Sequence, residues 1–338
     1  MSPRRRARRA AAALAVLAVV AAGAPAHGYL KIGTRVGDRM VSLRWTSRPV
    51  RWFVSDRGVP GVTPEQFRQA AERAFRSWED LPTSSITFEY GGMTGGSPLD
   101  EDGRTTLGFL SRPDLDRVLA STSFLVDTRT GDILESDVFF NSDFVWSVAP
   151  DGERDAFDLE SIILHEAGHV VGLSHSALGE TEVRPGGGRR VIGAGAVMFP
   201  IAFAAGTIEG RRLTPDDVAG VSDLYPDGGF RQETGSIQGR VTREGRGLFG
   251  AHVVAYDPRT GALVGNFSLD EDGGFVIAGL APGIHVVRVE PLDDGDLDSF
   301  FDDAADVELD FAPMFHERLV VVPRGGGSNR IELAVRPR

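Results

Sequence analysis

Apolar residues recur at helical spacing in TPEQFRQAAERAFRSWEDL, residues 63–81, where Phe67, Ala70, Ala71, Ala74, Phe75 and Trp78 form one stripe. Thr63 stands at the N-cap, Pro64 at the first helical position, and Gln66 completes a capping box. The pattern predicts a helix whose stripe lies in a core. On both sides the period shortens to two: VRWFVSD (50–56) and SSITFEY (84–90) alternate like strands. GGMTGGSPLDEDGRTT (91–106) reads as a glycine-rich acidic loop. RVLASTSFLVD (117–127) and ILESDVFF (133–140) predict two more strands, joined by the turn TRTGD. Two further helices are expected, one from Asp158 to Gly172 and one capped by Thr214, with Pro215 behind it, stopping at Pro226. Together these elements predict an α+β fold, a mixed twisted sheet with helices packed on it.

From about Gly235 the texture changes. SIQGRVTR, AHVVAYD, ALVGNFSL, GFVIAGL, HVVRVEP, RLVVVP and RIELAVR are short alternating runs separated by turn signals such as DPRTG and DEDGG. Seven strands over about a hundred residues predict an all-β sandwich. DGGFRQETG, residues 227–235, is the linker candidate. The acidic run PLDDGDLDSFFDDAADVELD, residues 291–310, is expected as a solvated insertion.

Composition narrows the functional classes. With 41% hydrophobic and 25% charged residues the chain is that of an ordinary globular protein. A net charge of -12 argues against nucleic acid as the main partner, because phosphate binding needs a basic face. The absence of cysteine excludes disulfides, thiolate metal sites and cysteine nucleophiles. Residues 1–26 combine a basic start, a short apolar run and the small-residue site Ala24–Ala26, the pattern of a cleaved export signal. The expected product is secreted, extracellular, periplasmic or at the cell surface, with no stable membrane span after cleavage; the oligomeric state is unknown. His27, at the expected mature N-terminus, is taken as incidental.

The chemistry concentrates in FDLESIILHEAGHVVGLSH, residues 157–175, which holds three of the seven histidines. His165 and His169 are spaced i, i+4, which stacks both imidazoles on one helix face, and Glu166 sits beside them. Gly172 falls where the helix must stop, and glycine tolerates the left-handed conformation of a sharp turn. That turn lets His175 swing back as a third ligand. Three nitrogen ligands leave zinc an open position, the mark of a catalytic site.

HExxHxxGxxH followed by a methionine turn resembles the metzincin zinc peptidases, with Met198 in AVMFP as the turn methionine. The closer resemblance is to the matrixins: HEAGHVVGLSHS follows their pattern, and LTPDDVAGVSDLY looks like their C-terminal catalytic helix. It covers roughly residues 40–226. It implies one catalytic zinc held by His165, His169 and His175, Glu166 as general base, Met198 as an apolar floor, and a protein or peptide substrate. It also implies a cleft lined by the edge strand at Ala120, Ser121 and Thr122 and by a pocket wall at Pro200 and Ile201, whose apolar character favours a hydrophobic substrate residue. The departures are plain. No histidine lies between His27 and His165 to hold a second zinc, and neither the cysteine nor the room for a propeptide latch is expected, so a bacterial secreted relative is the nearer match. The stretch RPGGGRR, inserted between His175 and Met198, is expected near the cleft. Asp100, Glu101, Asp102 and the turn Asp127 to Asp132 are the calcium candidates; a solvated acidic loop is the plainer expectation.

Residues 236–338 resemble the carboxypeptidase-regulatory-like, transthyretin-like sandwich, which speaks to fold and little to function. His252, His285 and His316 are expected in structural roles. The expected domains are therefore 1–26 signal, 27–226 matrixin-like metallopeptidase, 227–235 linker and 236–338 sandwich. The leading reading is a secreted zinc endopeptidase. The alternative is a cell-surface adhesion protein with a zinc-holding, inactive scaffold, which would have no use for Glu166.

Overall fold

The computed structural model of the chain describes residues 31–36, 39–115, 117–185, 188–301 and 307–338. The expected export segment and His27 lie outside the described residues. Strands β1 (Gly33–Val36) and β2 (Arg39–Ser42) pair antiparallel. Then come β3 (Val50–Ser55), α1 (Pro64–Glu79), β4 (Phe88–Thr94), β5 (Thr105–Leu110), β6 (Ala120–Asp127) and β7 (Asp132–Asn141). The sheet order is β4-β3-β5-β7-β6, parallel except for β6, which runs antiparallel to β7 at the edge. The two-residue strands β8 (Trp146–Ser147) and β9 (Phe157–Asp158) lead into α2 (Leu159–Val170). A hairpin of β10 (Gly179–Val183) and β11 (Arg189–Ala194) follows, then α3 (Pro215–Leu224).

The stripe on α1 explains how the sheet holds α2. All six of its apolar residues are buried. They share one core with Trp52, Val54 and Leu107 of the sheet and with Leu159, Ile163 and Ala167 of α2. The Trp78 indole donates to the Leu164 carbonyl at 3.0 Å, which fixes α2 against α1 one residue before His165. The capping box forms as expected: the Gln66 backbone N–H donates to Thr63 Oγ1 at 3.3 Å, and Gln66 Oε1 accepts the Thr63 N–H at 2.9 Å.

Two strand boundaries differ from the sequence reading. Pairing of β4 begins at Phe88 and runs on to Thr94, and the end of the expected loop is a strand, β5. Both pair with β3, one on each side. Thr105, Thr106 and Leu107 are buried in the sheet, a placement their polar, glycine-rich flank conceals.

The C-terminal region is rich in strands. It contains α4 (Phe230–Glu233), β12 (Gly235–Arg243), β13 (Arg246–Gly247), β14 (His252–Tyr256), β15 (Leu263–Phe267), β16 (Gly274–Leu280), β17 (Gly283–Glu290), β18 (Met314–Phe315), β19 (Val320–Val322) and β20 (Ile331–Val335). One sheet runs β13-β12-β16, with β20 parallel to β12; the other runs β15-β14-β17-β18, with β19 on β17. Ile237, Val253, Phe275, Val287 and Leu333 meet in their common core, joined by Ala219 of α3. In the linker candidate, Asp227 accepts the Phe230 N–H at 2.6 Å and Phe230 is buried. The described parts of the acidic run, residues 291–301 and 307–310, pack on the fold and do not form the expected solvated insertion. Leu292, Phe300 and Phe301 are buried against Phe267 and Ala177, because apolar side chains are interleaved with the acidic ones. Among the described residues, no helix is long and apolar enough to cross a membrane.

Candidate metal centre and cleft

Helix α2 is anchored at both ends. Asp158 accepts the Ser161 N–H at 3.0 Å, and the Arg211 guanidinium grips the same carboxylate at 2.5 and 2.9 Å. At the other end Gly172 adopts φ +95°, and a Cβ there would lie 2.4 Å from the Leu43 carbonyl oxygen. The turn sends the chain back past the helix, which brings His175 to His165 and His169.

Each imidazole donates its Nδ1–H to a backbone carbonyl: His165 to Val197 at 2.7 Å, His169 to Leu173 at 2.8 Å and His175 to Ser299 at 2.6 Å. A carbonyl only accepts, so the tautomer is set and every Nε2 keeps a lone pair. The Nε2 atom of His169 lies 3.1 Å from that of His165 and 3.2 Å from that of His175. Three lone pairs converging this closely suit a cation between them. A tetrahedral zinc at about 2.0–2.1 Å from each nitrogen needs ligand spacings of roughly 3.3 Å, so the donor set fits. Burial, with His175 beside it, pushes His165 down to about 3. Burial likewise lowers His169 and His175, so the three remain neutral donors at neutral pH. Among the described residues no other group of three potential ligands gathers in this way.

Glu166 is buried beside these ligands, and burial pushes its carboxyl up to about 7. The Thr122 hydroxyl donates to its Oε2 at 2.6 Å, so a residue expected only to line the cleft also orients the carboxylate. Met198 is buried directly under α2: a Cβ on Gly168 would lie 2.2 Å from its Sδ. The Met198 turn is held by Asp217 of α3, which accepts the Val197 N–H at 2.9 Å, the Met198 N–H at 3.1 Å and the Thr214 N–H at 2.8 Å. Asp216 beside it accepts the Ser176 hydroxyl at 2.7 Å. Sequence reasoning noted the Thr214 cap and missed both aspartates, whose partners are distant in the chain.

The histidines open onto a cleft of 1510 Å³. Ala120, Ser121 and Thr122 line one wall, and Pro200 and Ile201 another. Among the described residues, strand β6 pairs with β7 alone, and Ala120, Ser121 and Thr122 bring its outer edge to the cleft. Arg184 and Arg189, from the hairpin holding the inserted stretch, also line it.

The calcium candidates are engaged locally. Asp127 takes the Arg129 guanidinium at 3.0 and 2.8 Å, Asp100 accepts the Ser97 N–H at 2.9 Å, and Asp102 accepts the Arg104 N–H at 3.0 Å. Two buried carboxylates on β7 went unnoticed in the sequence: Glu135 accepts the Gly103 N–H at 2.5 Å, and Asp137 the Thr106 N–H at 2.7 Å. Burial, with Glu135 and Asp102 nearby, pushes Asp137 up to about 8 from 3.8. The folded chain therefore holds a proton that the unfolded chain releases. This contribution to stability is complete below the ordinary carboxylate range and is lost as pH rises towards 8. Asp137→Asn keeps an acceptor for Thr106 without the titration. In chelator, the melting temperature of the parent is expected to fall against that of Asp137→Asn between about pH 5 and pH 8. Parallel curves would contradict the assignment.

Three half-buried, neutral imidazoles beside a buried carboxylate, open to a cleft, form a candidate metal centre whose nitrogen donors suit zinc. Residues 44–185 match the family model of the matrixins, a span that includes His165, Glu166, His169 and His175 and ends before Met198. The chain is 26% identical to the Metalloendoproteinase 2-MMP of Arabidopsis thaliana over 176 residues, covering 48% of this chain and 37% of that protein. It is 29% identical to Metalloendoproteinase 4-MMP of the same plant over 192 residues, covering 51% and 44%. To the Hatching enzyme of Paracentrotus lividus it is 26% identical over 195 residues, covering 54% and 27%. The chain thus spans less than half the length of each of these relatives. Among solved structures, the Bacillus anthracis TIE protein aligns with 31% of this chain and 17% of that one, at 14% identity and a TM-score of 0.23. The region from β3 to β10 is accordingly matrixin-like, and two of these three relatives bear the name metalloendoproteinase.

Proposed function

We propose that the chain is a secreted zinc endopeptidase in which His165, His169 and His175 hold the metal and Glu166 is the general base. The observation that carries this reading is the convergence of three Nε2 lone pairs beside a buried glutamate, on the floor of a cleft with a free strand edge. Zinc bound there supplies a Lewis acid that polarises the scissile carbonyl and acidifies water.

The chain's own groups do the rest. An extended peptide pairs with the open edge of β6, which presents its carbonyl to the histidines. Glu166 takes a proton from the attacking water as the C–O bond forms, then passes it to the amine as the C–N bond breaks. The Thr122 hydroxyl holds Oε2, leaving Oε1 for the proton. Pro200 and Ile201 favour a hydrophobic substrate side chain. Asp217 and Met198 keep the floor beneath α2 in place. Secretion is inferred from residues 1–26.

Peptide hydrolysis by the purified chain is expected to fall to background after dialysis against a zinc chelator. It should return with about one equivalent of zinc and not with magnesium. Hydrolysis that persists in metal-free protein would overturn the reading.

A further inference from the structure

The carbonyls that orient the three histidines do not come from one part of the chain. His165 bonds to Val197, 32 residues on, and His169 to Leu173, four residues on, both before the C-terminal sheets. His175 bonds to Ser299, 124 residues away in the C-terminal region. Ser299 lies in the connection between β17 and β18, and the residue after it, Phe300, is packed on both sides of the contact. Phe300 is 1% exposed, with its ring 5.9 Å from Phe267 and 6.3 Å from the His175 imidazole. Ala177, two residues beyond His175, belongs to the same apolar cluster.

Three further ties surround this contact. The Gly265 N–H of β15 donates to Asp216 Oδ1 at 2.8 Å, while the other oxygen of that carboxylate takes the Ser176 hydroxyl. The Thr181 N–H of β10 donates to Asp294 Oδ1 at 2.8 Å, and its hydroxyl to the Asp294 carbonyl at 2.9 Å. Leu178, Ala196 and Val254 close a small apolar cluster between the two regions. The contacts reach residues 175, 177, 178 and 181 directly and Ser176 through Asp216, so the segment carrying the third histidine rests on the C-terminal region along its length. Asp296, Asp298 and Ser299 then continue as a wall of the cleft.

We infer that the C-terminal two-sheet region is a working part of the metal centre. The Ser299 carbonyl is the positioning group for His175, and the Phe300 anchor holds that carbonyl in place. The inference rests on the zinc reading above. A partner on the far nitrogen of a histidine ligand sets its ring orientation and basicity, and losing such a partner costs roughly 10–100-fold in metal affinity. A spacer or a detachable substrate-binding module would leave the affinity unchanged.

Three full-length variants test this. Phe300→Ala frees the anchor. Replacement of residues 293–299 by two glycines removes the carbonyl. Leu333→Ala opens the core of the C-terminal sheets away from the site and serves as the stability control. Zinc affinity is measured by competition with a chromophoric chelator, below the melting temperature of every variant. The visible absorption of the cobalt-substituted proteins reports the ligand field. Both site variants are expected to bind zinc at least about tenfold more weakly than the parent and to shift the cobalt bands, while Leu333→Ala melts earlier and changes neither. Zinc affinity within about twofold of the parent and unchanged cobalt bands in both site variants would overturn the inference while leaving the zinc reading intact. The same loss of affinity in Leu333→Ala would reduce the effect to general destabilisation and overturn it too. A parent chain that binds no zinc would remove both the inference and the reading beneath it.

Discussion

Replacement of Glu166 by Gln is expected to lower kcat/KM for peptide hydrolysis by roughly 10²–10⁴-fold, the usual contribution of a positioned general base. Zinc should stay bound, because the proposed ligands are His165, His169 and His175, and the carboxylate is not among the converging donors. The fold should survive as well. The amide has the volume of the carboxyl, and its oxygen still accepts the Thr122 hydroxyl. The loss should appear in kcat more than in KM, since the group acts on the proton in flight and makes no claim on the substrate's side chains. Kinetics and zinc content measured on the same preparation decide the matter. Parental activity in Glu166→Gln would remove the residue from the mechanism. A loss of zinc in step with activity would make it part of the metal-holding apparatus instead.

Gly172→Ala is the substitution expected to do most damage without touching a ligand. A side chain at φ +95° costs about 1–2 kcal/mol by itself. The new Cβ would also sit 2.4 Å from the Leu43 carbonyl oxygen, a backbone atom that cannot rotate away. The Gly172 carbonyl accepts the Ile32 N–H at 2.9 Å, so the strain passes into the segment before β1. A total of roughly 3 kcal/mol or more follows, with the turn displaced and His175 moved off the other two ligands. The expected result is a lower melting temperature together with weaker zinc binding. Unchanged zinc affinity in a stable Gly172→Ala chain would show that the turn does not deliver His175.

This glycine illustrates what the sequence could disclose. His165, Glu166, His169 and Gly172 lie within one helix and its end, where the period of the helix and the geometry of the turn tie residue type to position. The α1 stripe and its cap were legible for the same reason. What escaped was non-local. Thr122 meets Glu166 across 44 positions, and Ser299 meets His175 across 124. No periodicity encodes such contacts. Strand β5 was hidden because its neighbours are glycines and acids, although Thr105, Thr106 and Leu107 are buried between β3 and β7. The run from 291 to 310 misled through its charge. Phe300 and Phe301 within it were the signal that this segment packs, and they bear on the site most directly. Asp216 and Asp217 looked like ordinary acids in a first helical turn, a place where acids are favoured anyway. Their buried bonds to Ser176, Val197 and Met198 became visible only when the turn lay against them.

Incubating the purified, full-length chain with a broad peptide library, reading the new termini by mass spectrometry and determining zinc in the same sample tests the zinc peptidase reading at its centre. About one zinc per chain and internal cleavages are expected, with a hydrophobic residue favoured in the pocket walled by Pro200 and Ile201. A chain that holds its zinc and cleaves nothing in such a library would contradict the peptidase reading and leave the histidines as a scaffold for binding.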